Sequence, residues 1–140
     1  MRLFSTRKSQ AGLEYLTVLA LLLVALGPIL YLGYRDLTAK NAVAQASAVV
    51  KEIASTVDQV RAQGQGSRIV IRIQMPENVE STSLSGREVF LRIRTQDGQL
   101  SDISALTNAN LSGSIPNAPR VYFMNITMLE NGNVSVAPTS

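Results

Sequence analysis

The 20 residues from Leu13 to Leu32 carry a single charged side chain, Glu14. Twenty helical residues rise about 30 Å, the thickness of a bilayer's hydrocarbon. The chain has 140 residues, one domain's worth plus a segment too long and too greasy to belong to an ordinary soluble core. Such a segment needs lipid or other protein along its sides, and a membrane stage is expected.

Composition removes most chemistry. There is no Cys and no His, so neither a disulfide framework nor a thiolate nucleophile is available, and the commonest general base and metal ligand is missing. Ser and Lys remain as candidates for a hydrolase, but no spacing supports one. No glycine-rich phosphate loop, carboxylate cluster or basic–aromatic stripe occurs. The chain is expected to be no enzyme, with no catalytic residue, no metal and no cofactor. The net charge of +3 comes from Arg2, Arg7 and Lys8, beyond which ten basic residues face ten acidic ones. The excess suits a cytoplasmic flank under the positive-inside rule, and no nucleic-acid partner is expected.

Residues 1–9 have no apolar region of their own and do not form a standard secretory signal. If they are removed, the cut falls before the apolar run. Gly27-Pro28 interrupts that run, and the proline removes the hydrogen bond to the Val24 carbonyl. Membrane helices tolerate this as a kink. From Asp36 to Gln63, Ala39, Val43, Ala46, Val50, Ile53, Val57 and Val60 step alternately by four and three, a heptad seam. Lys40, Gln45, Lys51, Glu52, Asp58 and Arg61 take the opposite face. Gln63-Gly64-Gln65-Gly66-Ser67 is a helix stop. A continuous helix from Gln10 to Gln63 has 54 residues and runs about 81 Å.

After Ser67 the period changes to two. Ile69, Ile71 and Ile73 alternate with Val70, Arg72 and Gln74, and Val89, Leu91 and Ile93 with Phe90, Arg92 and Arg94. Ser85-Gly86, Asp97-Gly98 and Asn131-Gly132 are turn signals, the last between two strands, Val121–Leu129 and Val134–Val136. Residues 100–119 are polar and irregular, with at most one weak strand over Leu100 to Leu106. In Val121–Leu129 the face of Tyr122, Met124, Ile126 and Met128 is inward, and Asn125 and Thr127 point away. The reading is one small antiparallel sheet, laid on Asp36 to Gln63. Arg68, Arg72, Arg92 and Arg94 form a solvated strand face in preference to an anion-binding patch. Three sequons, beginning at Asn110, Asn125 and Asn133, make the headpiece a glycosylation candidate.

Hydropathy alone leaves a permanent signal anchor open. The stretch Lys8-Ser9-Gln10-Ala11-Gly12-Leu13-Glu14-Tyr15-Leu16, however, closely resembles the class III signal sequence of archaeal type IV pilin-like proteins. The match covers residue 7 to about residue 32. Ser9 stands where the family often has Gly, and Gly12 where one common version has Ser. The resemblance implies an α+β, type IV pilin-like fold: a cleaved leader over 1–9, an apolar membrane and filament-core helix over 10–34, an amphipathic continuation over 35–66, and a β headpiece over 67–140. It implies cutting of the Ser9–Gln10 bond by a prepilin peptidase and assembly through Gln10 and Glu14, whose carboxylate would meet a neighbour's new α-amine. The partners implied are copies of the chain itself in a helical homopolymer, the peptidase, the membrane assembly machinery, and lipid around the precursor. The precursor would sit in the cytoplasmic membrane and the mature chain in surface filaments. A permanently anchored single-pass extracellular binding domain, or a minor pilin or archaellum-type component, is the alternative. The mature chain is expected to begin at Gln10; N-terminal mass analysis finding Met1 intact, or a cut beyond residue 32, would contradict this.

Overall fold

The computed structural model describes residues 5–139, with side chains from Gln10 onward except that of Ala39. The side chains of residues 1–9, expected to be a leader and including Ser9 of the expected cut, lie outside the described residues. One helix, α1 (Ser5–Gln63), is followed by seven strands: β1 (Arg68–Gln74), β2 (Val79–Ser85), β3 (Glu88–Arg94), β4 (Leu100–Leu106), β5 (Leu111–Gly113), β6 (Val121–Met128) and β7 (Val134–Pro138). The chain forms two compact units, Met1–Thr38 and Ala39–Ser140.

In the first unit α1 starts at Ser5 and passes through Pro28 unbroken. Before Pro28 this stretch is rich in Ala and Leu, strong helix formers. Hydroxyls in this unit fold back on the helix: Thr17 Oγ1 donates to the Leu13 carbonyl (2.8 Å) and Thr38 Oγ1 to that of Tyr34 (2.7 Å). The expected Ser9–Gln10 cut falls within continuous helix.

In the second unit the helix ends at Gln63, where the chain turns through Gly64 (φ 94°) and Gly66 (φ 80°). Ser67 Oγ lies 2.7 Å from the Val60 carbonyl and 2.6 Å from that of Gly64, giving its one proton two acceptors at the helix end. The seam does what its spacing predicts, but within the chain. Ala46, Val50, Ile53, Val57 and Val60 are at most 1% exposed and join Ile73, Leu91, Ile93, Met124, Ile126, Val134 and Val136 in one core. The seam from Ala46 to Val60 is therefore spent on the chain's own strands.

The headpiece departs from the expected single antiparallel sheet. It has a four-stranded sheet, ordered β1-β6-β7-β5, and a three-stranded sheet, β2-β3-β4. The first is mixed, because β5 runs parallel to β7. Two strands lack a sequence signal. In β2, Val79-Glu80-Ser81-Thr82-Ser83-Leu84-Ser85, only Val79 and Leu84 are large apolar residues, and pairing with β3 supplies what propensity does not. In β5 only three residues pair. The weak strand expected at Leu100–Leu106 is β4, and Asn131-Gly132 closes the β6–β7 hairpin. In β6 Met124 and Ile126 are buried, whereas Phe123 is 55% exposed, as the alternation demands.

The two sheets adjoin at β5 and β2. Leu111 N–H donates to the Gly86 carbonyl (2.7 Å) and Thr82 Oγ1 to that of Ile115 (2.6 Å). Gly113 is what lets β5 lie there: its φ is 111°, and a Cβ would stand 2.0 Å from the Val136 carbonyl oxygen. Gly113→Ala is expected to destabilise the headpiece by about 3 kcal/mol or more, from backbone strain plus the clash; an unchanged thermal unfolding midpoint would contradict the β5–β7 pairing.

Candidate functional site

Every residue from Gln10 to Tyr34 is exposed, although most are apolar: Leu13 is 71% exposed, Leu23 61% and Leu32 62%. This helix is long and apolar enough to cross a membrane, and none of its most apolar stretch is buried within the chain. An uninterrupted apolar surface of this size does not stay in water. Glu14 is the one carboxylate along it, four residues from Gln10 and so on the same helix face. Gly12, Gly27 and Gly33 leave open notches, with nothing within 4 Å of where a Cβ would stand. At Gly27-Pro28 the helix continues, but Pro28 has no N–H to give the Val24 carbonyl.

Three tyrosines of this surface, with Arg35 just beyond it, carry a further signal. Tyr15, Tyr31 and Tyr34 are three of the chain's four tyrosines, and all are largely exposed. They bracket the apolar run. The 19 steps from Tyr15 to Tyr34 span about 28 Å at 1.5 Å each. Arg35 lies over the Tyr31 ring, 5.9 Å from its centroid. Tyrosines at both ends of an apolar helix, with a cation beside one set, match the aromatic belts of membrane–water interfaces. Glu14 then falls just beyond the Tyr15 end of the apolar span.

Arg68, Arg92 and Arg94 are engaged locally. Arg92 makes a two-pronged bond to Asp102 (Nε to Oδ1, 2.6 Å; Nη2 to Oδ2, 2.8 Å), and Arg94 Nη2 lies 2.8 Å from Glu80 Oε1. Hydrogen bonding from the Arg92 guanidinium, aided by its charge, holds the Asp102 carboxyl below the usual carboxylate range despite some desolvation. Arg92 also lies over the Phe90 ring at 5.5 Å. Arg68 Nε donates to Asn125 Oδ1 (2.7 Å). These are the contacts of a solvated strand face. Among the described residues no group of three His, Cys, Asp or Glu side chains is placed to hold a metal. The clefts beside the helix are open: one of about 300 Å³ lies between Gln45, Ala48, Val49 and Glu52 of α1 and Arg72 and Gln74 of β1, and a more apolar one of about 440 Å³ between Lys40, Val43, Ala44 and Ser47 of α1 and Thr95.

The three sequons occupy different surroundings. Asn110 is exposed in the loop before β5, its carbonyl accepting from Val134 N–H at 2.9 Å, so it neighbours the third site. Asn133 is half-buried in the β6–β7 turn, its N–H donating to Asn131 Oδ1 (3.0 Å). Asn125 faces outward from β6 but is half-buried between β1 and β7, and its Oδ1 accepts from both Arg68 and Thr127 (3.2 Å). Thr127, which completes the sequon, is thus tied to the Asn it would present. If the folded headpiece is modified, occupancy should be highest at Asn110 and lowest at Asn125; glycopeptide mass spectrometry showing the reverse order would count against modification after folding.

No protein-family model, curated protein or solved structure matches this chain.

Proposed function

We propose that the chain is a structural subunit of an archaeal type IV pilus-like surface filament, held in the membrane as a precursor, cut before Gln10 and polymerised through its N-terminal helix. The observation that carries this reading is the complete exposure of Gln10 to Tyr34 in the isolated chain, joined to a cut-site motif at its head. A helix that only tethered a domain would need the apolar residues and the tyrosine belts, but not Ser9-Gln10 followed by Glu14. Moved from lipid into a filament, each of about 20 apolar side chains finds a setting as dry as the one it leaves, each being worth ~1.5–3 kcal/mol relative to water. Head-to-tail association without closure then produces an open helical polymer.

Glu14 is the electrostatic element of this scheme. Beyond Tyr15 it meets the polar interface while the precursor is in the bilayer, and it becomes enclosed only on assembly. Enclosing a carboxylate is costly unless a cation meets it, and cleavage creates one, the α-amine of Gln10, with an ordinary pKa near ~7.7–8.0. Glu14→Gln is expected to leave export and cleavage intact and to lower filament yield about tenfold or more, a change of about 1.4 kcal/mol per tenfold. Peptide mapping of sheared surface filaments reads the yield. Undiminished filaments from Glu14→Gln would refute the pairing, and filaments that never contain this chain would refute the subunit role in favour of a tethered domain.

A further inference from the structure

The two sheets end in edges of different kinds. Where they adjoin, the edges are irregular: β5 has three residues, and β2 shifts register between Val79 and Ser81. At the outer ends, β1 and β4 each have seven residues, contain no Pro, and keep register along their whole length. Natural sheets guard exposed edges with short strands, bulges, prolines or charged side chains, and of these the outer edges here have only charges, Arg68 and Arg72 on β1 and Asp102 on β4. This chain places a short strand and a bulge at its internal junction and leaves both outer edges straight.

The backbone of those edges is aimed outward. Met75 N–H donates to the Arg120 carbonyl (3.0 Å), so by antiparallel alternation Ile69, Ile71 and Ile73 turn their backbone groups to β6. Those of Arg68, Val70, Arg72 and Gln74 point away from the sheet. On β4, Thr107 N–H donates to the Arg87 carbonyl (2.7 Å), so Ser101, Ile103 and Ala105 face β3. Leu100, Asp102, Ser104 and Leu106 point away. The inward side chains nearest each edge are incompletely covered. Ile69 and Ile71 on β1, and Ile103 and Ala105 on β4, are half-buried, while Met124 and Ile126 on β6 are fully buried. Another strand at either edge would extend the ladder and cover them.

We propose that β1 of one copy pairs edge to edge with β4 of the next, a second contact between subunits that rests on the filament reading above. Charge selects this partner over the alternatives. Residues 67–75 contain Arg68 and Arg72 and no acid, and residues 96–106 contain Asp97 and Asp102 and no base. Pairing β1 with β1, or β4 with β4, sets like charges side by side, whereas β1 with β4 sets opposite ones. Asp102 already meets Arg92, but carboxylate oxygens have lone pairs to spare for a second guanidinium. The pairing is also heterologous, the kind of contact that builds an open filament when its rotation does not close a ring.

The absence of Cys makes the test clean. Val70→Cys is combined in turn with Leu100→Cys, Ser104→Cys and Leu106→Cys, and intact filaments are oxidised. Directly opposed residues of an antiparallel pair stand about 5.5 Å apart at Cα, within disulfide reach. At least one pair should give a ladder of covalent multimers about tenfold above Val70→Cys combined with Asn117→Cys on an exposed loop. Filaments that assemble but yield no ladder from any of the three pairs would overturn the β1–β4 contact and leave the helix-based subunit reading standing. Failure of the unmodified chain to enter filaments at all would overturn both.

Discussion

The packing of Ala46, Val50, Ile53, Val57 and Val60 against both sheets is the interaction on which the rest depends. It gives the second half of α1 its partners inside the chain, and it unites a mixed sheet and an antiparallel sheet under one core. The first half of the same helix has no counterpart. One continuous element thus has two unlike halves: the distal one is satisfied on folding, and the proximal one needs a setting that the chain does not supply. The contrast arises from side-chain chemistry, since Val and Ile at heptad spacing make a stripe, whereas Leu and Val all round make a cylinder.

Electrostatics follows the same division. In the headpiece, ion pairs such as Arg92–Asp102 and Arg94–Glu80 join neighbouring strands at the surface. Exposed pairs of this kind add little to stability, but they keep the outer face of β2-β3-β4 soluble and fix its register. In the helix, a single carboxylate, Glu14, sits at the N-terminal end of an otherwise neutral surface over residues 10–34. Within the chain that carboxylate stays exposed.

Much of this was legible in the residues. The helix stop at Gly64, the inward face of β6, the Asn131-Gly132 hairpin and the buried seam all follow from period and turn chemistry, because each depends on neighbours in sequence. The two-sheet division was not legible. Strand β2, with serines at 81, 83 and 85, has no apolar pattern of its own and exists because β3 offers a ladder. Strand β5 depends on Gly113 approaching Val136, a contact between residues 23 apart in the chain. The tyrosine belt was present in the sequence throughout, at Tyr15, Tyr31 and Tyr34, but it becomes visible only when positions are converted into distance along a helix.

The order of strands in the mixed sheet has a kinetic side. Strands β2, β3 and β4 form a meander closed by two short turns, so they can pair as soon as residues 79–106 are available. Strand β1 has β6 as its sheet neighbour, and Ile71 waits for Met124. Strand pairing across that distance is slow compared with pairing in a local meander. Until the last third of the chain is available, β1 has no sheet neighbour, and the part of the core that Met124, Ile126, Val134 and Val136 complete stays uncovered.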